Sequence, residues 1–81
     1  MSIPKVSTEQ IKAARALLGW SQRALAEASG ISIPTIKRLE AVPGPLGGRA
    51  DTISALISTL ERSGIEFIKR NGGGEGVRLR D

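Results

Sequence analysis

Apolar residues recur at helical spacing in four segments of the chain, which we place at 7–18, 22–29, 32–40 and 51–63. Within each segment the apolar positions lie three or four residues apart, so they fall on one face of a helix. The side chains expected to point inward are Ile11, Ala14, Leu17 and Leu18; Leu25 and Ala28; Ile36 and Leu39; and Ile53, Leu56, Ile57 and Leu60. The pattern therefore predicts four short amphipathic helices.

The boundaries of these helices carry their own signals. A serine is the expected N-cap of the first three helices, and Asp51 that of the fourth. Each of the three serines follows an apolar residue that can pack against the residue five positions later, as in a hydrophobic staple. Those pairs are Val6 with Ile11, Trp20 with Leu25, and Ile31 with Ile36. Trp20 is accordingly interpreted as a packing residue. Glycine ends the first, second and fourth helices, at Gly19, Gly30 and Gly64.

The tail of the chain, 65–81, has a different pattern. IEFIKR and VRLR alternate between apolar and polar residues, and NGGGEG lies between them as a flexible turn. This predicts a short β-hairpin with Val77 and Leu79 facing inward. Because an isolated hairpin is marginal in water, it must lie against its own helices or against the same tail of a second subunit.

Residues 41–50, AVPGPLGGRA, contain two prolines and three glycines and are predicted to form a loop. Ten residues is long for a connection in so small a domain. Two interpretations stay open, a bare linker and a loop that follows the backbone of a polyanionic partner, with Arg49 as its only charge.

Composition narrows the possible functions. The 81 residues suffice for one small domain, and the net charge of +4 suits a polyanionic partner. The chain has no Cys and no His, which excludes disulfides and the usual zinc sites and leaves no evident base paired with a nucleophile. We therefore expect no enzyme activity, no metal and no cofactor. No signal peptide or membrane-spanning run is apparent, which favours a cytoplasmic protein.

The second and third helices, joined at Gly30, have the layout of a helix-turn-helix. Ala26 lies four residues before that glycine, where a small side chain lets two helices cross closely. Ser21-Gln22, Leu25-Ala26, Thr35-Ile36 and the Arg38-Leu39-Glu40 ending complete the pattern. The stretch 20–40 thereby resembles the prokaryotic Cro/repressor-like (XRE) family of DNA-binding domains.

This resemblance implies that 32–40 is a recognition helix that inserts into the DNA major groove. Lys37 is then the best candidate for a base contact. Gln22, Thr35 and Arg38 are expected to bind phosphates, and Arg23 is a weaker candidate for a phosphate contact. Apolar residues stand where many relatives carry Gln or Arg, so DNA shape is expected to add to direct readout. The candidate DNA-binding set comprises Gln22, Arg23, Ser32, Ile33, Pro34, Thr35, Lys37 and Arg38.

Two further positions match residues of the family. Arg15 and Glu40 correspond to an Arg and a Glu that pair across the domain in many relatives, which implies a structural role for both. Ala41-Val42 replaces the glycine that usually follows this Glu, so the path of the chain beyond the recognition helix is open.

The resulting hypothesis is a mainly α protein, with a compact four-helix helix-turn-helix domain at 1–63 and a dimerising β tail at 64–81. We expect a bacterial or phage homodimer that binds an inverted-repeat operator on double-stranded DNA and acts as a transcriptional repressor. The alternatives are an antitoxin whose tail docks a partner protein, and a protein–protein interaction module that does not bind DNA.

Overall fold

The computed structural model describes residues 5–70 and 72–80. Residues 1–4 of the predicted domain at 1–63, and residues 71 and 81 of the predicted tail at 64–81, lie outside the described residues. The elements are α1 Thr8–Leu18, α2 Gln22–Ser29, α3 Ile33–Glu40, α4 Ala50–Arg62, β1 Ile65–Ile68 and β2 Gly76–Leu79. The strands form one antiparallel hairpin. The prediction of a mainly α protein with a C-terminal hairpin is confirmed. In the described part of the chain, no helix has the length and apolarity needed to cross a membrane.

The first three helices begin at the predicted caps. Each cap hydroxyl accepts a hydrogen bond from the backbone N–H three residues later, with Ser7 paired to Gln10, Ser21 to Ala24 and Ser32 to Thr35. Gln10 completes a capping box by accepting the Ser7 N–H at 2.9 Å. Gly19 and Gly30 end α1 and α2 with φ of 68° and 76°, the left-handed conformation that a residue without Cβ adopts easily.

The predicted cap of α4 was wrong. The N-cap is Arg49, which makes no side-chain capping bond, and Asp51 lies inside the first turn of the helix. A carboxylate there is still favourable, because it faces the positive end of the helix dipole. Its Oδ1 accepts the N–H of Thr52 at 2.9 Å. Asp51 therefore stabilises the helix start from the second position of the helix and not from the N-cap.

Two predicted inward residues were also wrong. Leu17 is 44% exposed and Ala28 is exposed, whereas Ala26 is buried. The buried apolar positions of α1 are Ile11 and Ala14, and a helical step of about 100° turns Leu17 away from that stripe. In α2, the face that meets its neighbours contains Leu25 and Ala26. A short helix with several alanines fits more than one stripe, and packing decides between them.

One hydrophobic core joins the helices and the hairpin. α2 packs against α3 and α4, α1 packs against α3 and β2, and α4 packs against β1. Trp20 and Ile31, the predicted staple residues, are partly buried against this core. The buried apolar side chains are Val6, Ile11, Ala14, Leu25, Ala26, Ile36, Leu39, Leu46, Leu56, Ile57, Leu60 and Ile65.

The hairpin lies on the helices of its own chain. Ile65 pairs with Leu79 and Phe67 with Val77, and Ile65 is only 1% exposed. Val77 packs against the core as predicted. Leu79 lies opposite Ile65 and therefore on the same face of the hairpin, as predicted, but it is less well covered and is 46% exposed. Of the two supports considered for the hairpin, its own helices are the one observed.

The side chain of Gln10 fastens the hairpin to α1. Its Nε2 donates to the carbonyl oxygens of Ile68 at 3.2 Å and Gly76 at 2.9 Å. Its Oε1 accepts the Ser7 N–H, and the residue is 4% exposed. One buried amide therefore holds both the start of α1 and the loop end of the hairpin.

Replacing Gln10 with alanine should lower the free energy of unfolding by about 2–3 kcal/mol. Each buried polar group left without a partner costs about 1–3 kcal/mol. The variant removes the hydrogen-bond partner of the Ser7 N–H and of the carbonyls of Ile68 and Gly76. Urea unfolding monitored by Trp20 fluorescence measures the change. Lys12→Ala, at an exposed position of the same helix, is the control and should shift stability by about 0.5 kcal/mol or less. Equal effects of both variants would contradict the fastening role.

The loop at 41–50 is packed against the start of α1. The N–H of Thr8 donates to Gly44 O at 2.9 Å, and the N–H of Leu46 donates to Val6 O at 3.0 Å. Thr8 Oγ1 also donates to Val42 O at 2.7 Å. These bonds guide the chain away from α3 beyond Glu40, so the interpretation as a bare linker was wrong. A role for the loop on DNA stays a prediction.

Candidate nucleic-acid interface

The helix-turn-helix is built by α2, the turn at Gly30 and α3. Ile36, Leu39 and Glu40 form the buried face of α3. Helical spacing then turns Lys37 and Arg38 outward, each about one turn beyond Pro34, and all three residues are exposed. We call these three residues the α3 stripe.

The structure distributes the predicted DNA-binding residues between surface and core. Gln22, Ile33 and Thr35 are partly buried. Ile33 packs against the hydrophobic core, so little of its side chain is left for a DNA contact. The exposed members of the set are Arg23, Ser32, Pro34, Lys37 and Arg38.

Two hydroxyls occupy the start of α3. Ser32 Oγ accepts the N–H of Thr35 at 3.3 Å and donates to Thr35 Oγ1 at 2.9 Å. Because Thr35 Oγ1 acts as the acceptor in this pair, its own proton is left to donate outward. A hydroxyl donor at a helix N-terminus is well suited to a phosphate oxygen.

The cations of the motif are not neutralised by carboxylates of the same chain. Among residues 5–70 and 72–80, the ion pairs within 4 Å are Arg15–Glu40, Arg49–Asp51 and Glu66–Arg78. Arg23, Lys37 and Arg38 take part in none of them. Their charges are therefore available to an anionic partner.

Behind the α3 stripe, Arg15, Glu40 and Gln22 form one polar cluster that joins α1, α3 and α2. Arg15 donates from Nε to Glu40 Oε2 at 2.8 Å and from Nη2 to Glu40 Oε1 at 2.7 Å, and its Nη1 donates to Trp20 O at 3.0 Å. The pairing of Arg15 with Glu40 is thus the one that the family resemblance implies. A two-point pair of this kind fixes orientation as well as distance.

The protonation of this cluster follows from its contacts. Burial favours the neutral form of Glu40, but hydrogen bonds from Arg15 and Gln22 outweigh it and lower the pKa of the carboxyl group below its ordinary value. The hydrogen bond to Glu40 raises the pKa of the Arg15 guanidinium. Both groups are charged at neutral pH, and their pairing weakens only as acid protonates the carboxylate.

Gln22 has a partner that sequence reasoning missed. Its Nε2 donates to Glu40 Oε1 at 3.0 Å, so the amide predicted to bind phosphate is also a member of the Arg15–Glu40 cluster. No pattern in the chain indicates this bond, since the two residues are far apart in sequence and belong to different helices.

Lys12 is a second residue that sequence reasoning missed. It is exposed on α1, and its positive charge contributes to the lowered pKa of Glu40. A signal was available, because Lys12 lies one helical turn before Arg15 and therefore on the same side of α1. Lys12 therefore adds a positive charge near the Arg15–Glu40 pair.

Comparison with known proteins agrees with this geometry. Residues 11–41 match a family model described as helix-turn-helix, and this match covers α2, α3 and most of α1. None of the curated proteins matches the chain. The turn at Gly30, the buried face of α3 and the Arg15–Glu40 pair all lie within the matched residues. Residues 11–41 are therefore a helix-turn-helix of the Cro/repressor-like (XRE) kind, the DNA-binding element of a family of transcription regulators.

Proposed function

We propose that this protein is a sequence-specific, dimeric DNA-binding repressor that acts in the cytoplasm by occupying an operator. The α3 stripe carries the proposal: Lys37 and Arg38 are exposed on the second helix of the motif and form no ion pair within the described chain. The opposite face of the same helix is anchored in the core by Ile36 and Leu39. A rigid helix that presents free cations fits the DNA major groove.

The residues of the motif divide into two roles. Lys37 is proposed to read a base edge, because an ammonium group can donate to the O6 and N7 atoms of guanine. Arg38, Thr35 and Gln22 are proposed to bind phosphates, which position the helix without reading sequence. Arg23, exposed on α2, adds charge to the same surface.

Apolar contacts and DNA shape complete the proposed readout. Pro34 is exposed beside Lys37 and can contact only an apolar group such as a thymine methyl. Since Ile33 is largely taken up by the core, one helix offers few base contacts. Sequence-dependent deformability of the duplex is expected to supply part of the specificity.

The hairpin is proposed to join two copies of the chain. Its inner face packs on its own helices, but within residues 5–70 and 72–80 each of its two strands has one edge without a strand partner. Such an edge favours pairing with a second strand, and Leu79, 46% exposed at the end of β2, adds apolar surface beside it. Under this proposal, 1–63 binds DNA and 64–81 dimerises, and two recognition helices lie about one DNA turn, ~34 Å, apart.

Sedimentation should show a dimer at tens of micromolar that Leu79→Asp converts to a folded monomer. A carboxylate placed at this exposed edge is costly to bury between two subunits but harmless in water. Leu17→Asp is the matched control, because Leu17 is 44% exposed and Leu79 46%, yet Leu17 lies outside the tail. Selection from random duplexes should return inverted repeats with wild type. A monomeric wild type, or a dimer that survives Leu79→Asp, contradicts the dimer proposal.

The same exposed edge supports a second candidate function. In it, the tail docks a different protein, as in an antitoxin that binds both DNA and a partner. A wild type that sediments as a monomer but binds DNA would favour this candidate. The third candidate function is a module that binds protein and no DNA. This candidate gives no role to the exposed Lys37 and Arg38.

A further inference from the structure

The Glu40 carboxylate lies where α1, α2 and α3 meet. Its Oε1 atom accepts from Arg15 Nη2 at 2.7 Å and from Gln22 Nε2 at 3.0 Å. Arg15 belongs to α1 and Gln22 is the first residue of α2, while Glu40 ends α3. A single oxygen atom therefore links the end of the recognition helix to the residue proposed to bind phosphate.

A carboxylate near DNA needs a reason to be there, because it repels phosphate. Here the charge of Glu40 is balanced by the two-point pair with Arg15 and by the positive charge of Lys12 nearby. The cluster as a whole does not oppose an approaching phosphate. Glu40 can thus take part in the interface through its hydrogen bonds rather than its charge.

The chemistry of an ionised carboxylate decides how the Gln22 amide is turned. A carboxylate only accepts hydrogen bonds, so it must face the NH₂ group of the amide and not its carbonyl oxygen. One hydrogen of Nε2 is used on Glu40, and the other remains. Gln22 lies at the N-terminus of α2, whose free N–H groups and dipole favour an anion at the same place.

We propose that Glu40, held by Arg15, is a positioning residue that keeps the Gln22 amide turned with one Nε2 hydrogen free to donate to a DNA phosphate oxygen. This inference rests on the proposed DNA-binding function. Holding the amide before DNA arrives reduces the side-chain freedom that binding would otherwise remove. Gln22 is then prepared for phosphate by a residue at the far end of α3.

A double-mutant cycle on DNA affinity tests this role. Gln22→Ala should weaken binding about tenfold in the wild-type background, the usual cost of a hydrogen bond to a charged group. It should do so equally on every duplex, with little change in salt dependence, because glutamine carries no charge. In the Glu40→Gln background the same change should cost about threefold or less, since a glutamine at 40 can donate as well as accept and no longer dictates how the amide is turned.

The matched control is Glu27→Gln, which removes a carboxylate from an exposed position of α2. In that background Gln22→Ala should again cost about tenfold. Equal losses in all three backgrounds would overturn the positioning role, and no loss in wild type would make Gln22 a structural tie only. If wild type binds no duplex at all, the proposed function itself fails, and this inference with it.

A measurement on the wild-type protein without DNA tests the proposal even if Glu40→Gln unfolds the chain. The chain has two glutamines, Gln10 and Gln22, so their side-chain amide signals are simple to assign by NMR. Gln10, whose Nε2 donates to two carbonyls, is the rigid reference. The Gln22 side-chain amide should show a comparably high order parameter without DNA. A low value, typical of a free surface glutamine, would overturn the proposal.

Discussion

Replacing Lys37 and Arg38 by alanine, one at a time, should weaken DNA binding in two different ways. Loss of Lys37 should cost about 1–3 kcal/mol on the preferred operator and relax preference at one position, because a base contact is removed. Loss of Arg38 should weaken all duplexes alike and flatten the log–log salt slope by about one unit, because a phosphate contact is removed. Fluorescence anisotropy with selected and scrambled duplexes separates the two effects.

Arg62→Ala is the matched control for both variants. Arg62 is an exposed cation in the last turn of α4, outside the motif, so its loss should change affinity far less. Unchanged affinity and preference after Lys37→Ala would remove Lys37 from the readout and shift weight to Thr35 and DNA shape. An effect of Arg62→Ala as large as that of Arg38→Ala would mean that net charge, and not the α3 stripe, determines binding.

Ile65→Ala should destabilise the protein by about 2–5 kcal/mol, the usual cost of deleting a large aliphatic side chain from a packed core. Ile65 is 1% exposed and belongs to the same cluster as Leu56 and Leu60 of α4. Small domains have only about 5–15 kcal/mol of stability in total, so this single change in the hairpin is severe. Removing 64–81 altogether is expected to leave the helices largely unfolded.

Urea unfolding of the variants provides the measurement, with Leu17→Ala as the control. Leu17 is an aliphatic residue that is 44% exposed, and its truncation should change stability by about 0.5 kcal/mol. If Ile65→Ala is as mild as Leu17→Ala, the hairpin is an appendage to the helices. In the structure the hairpin contributes Ile65 to the core. This packing role is separate from the proposed role of the hairpin in dimerisation.

Local signals explain why so much of the fold could be predicted. Serine caps and left-handed glycines act over a few residues, so Ser21, Ser32 and Gly30 indicate α2 and α3 without reference to the rest of the chain. The exposed positions of Lys37 and Arg38 followed from the same helical period once Ile36 and Leu39 were placed inside.

What could not be predicted depends on contacts between distant residues. The bonds of Gln10 to Ile68 and Gly76 join residues more than fifty positions apart. Thr8 likewise donates a hydrogen bond to Val42, which lies 34 positions further along the chain. Periodicity reports which face of a helix is apolar and nothing about its partner. The link from Gln22 to Glu40 in the candidate site was missed for the same reason.

Affinity for duplex DNA as a function of salt tests the central claim, that the α3 stripe binds DNA, most directly. Each phosphate neutralised by a cation contributes about −0.9 to the slope of log affinity against log salt. Arg23 and Arg38 form no ion pair within the described residues, so we expect wild type to bind its selected operator with a slope of about −2 or steeper. Weak binding to every duplex, unchanged between about 50 mM and about 200 mM salt, would contradict the account.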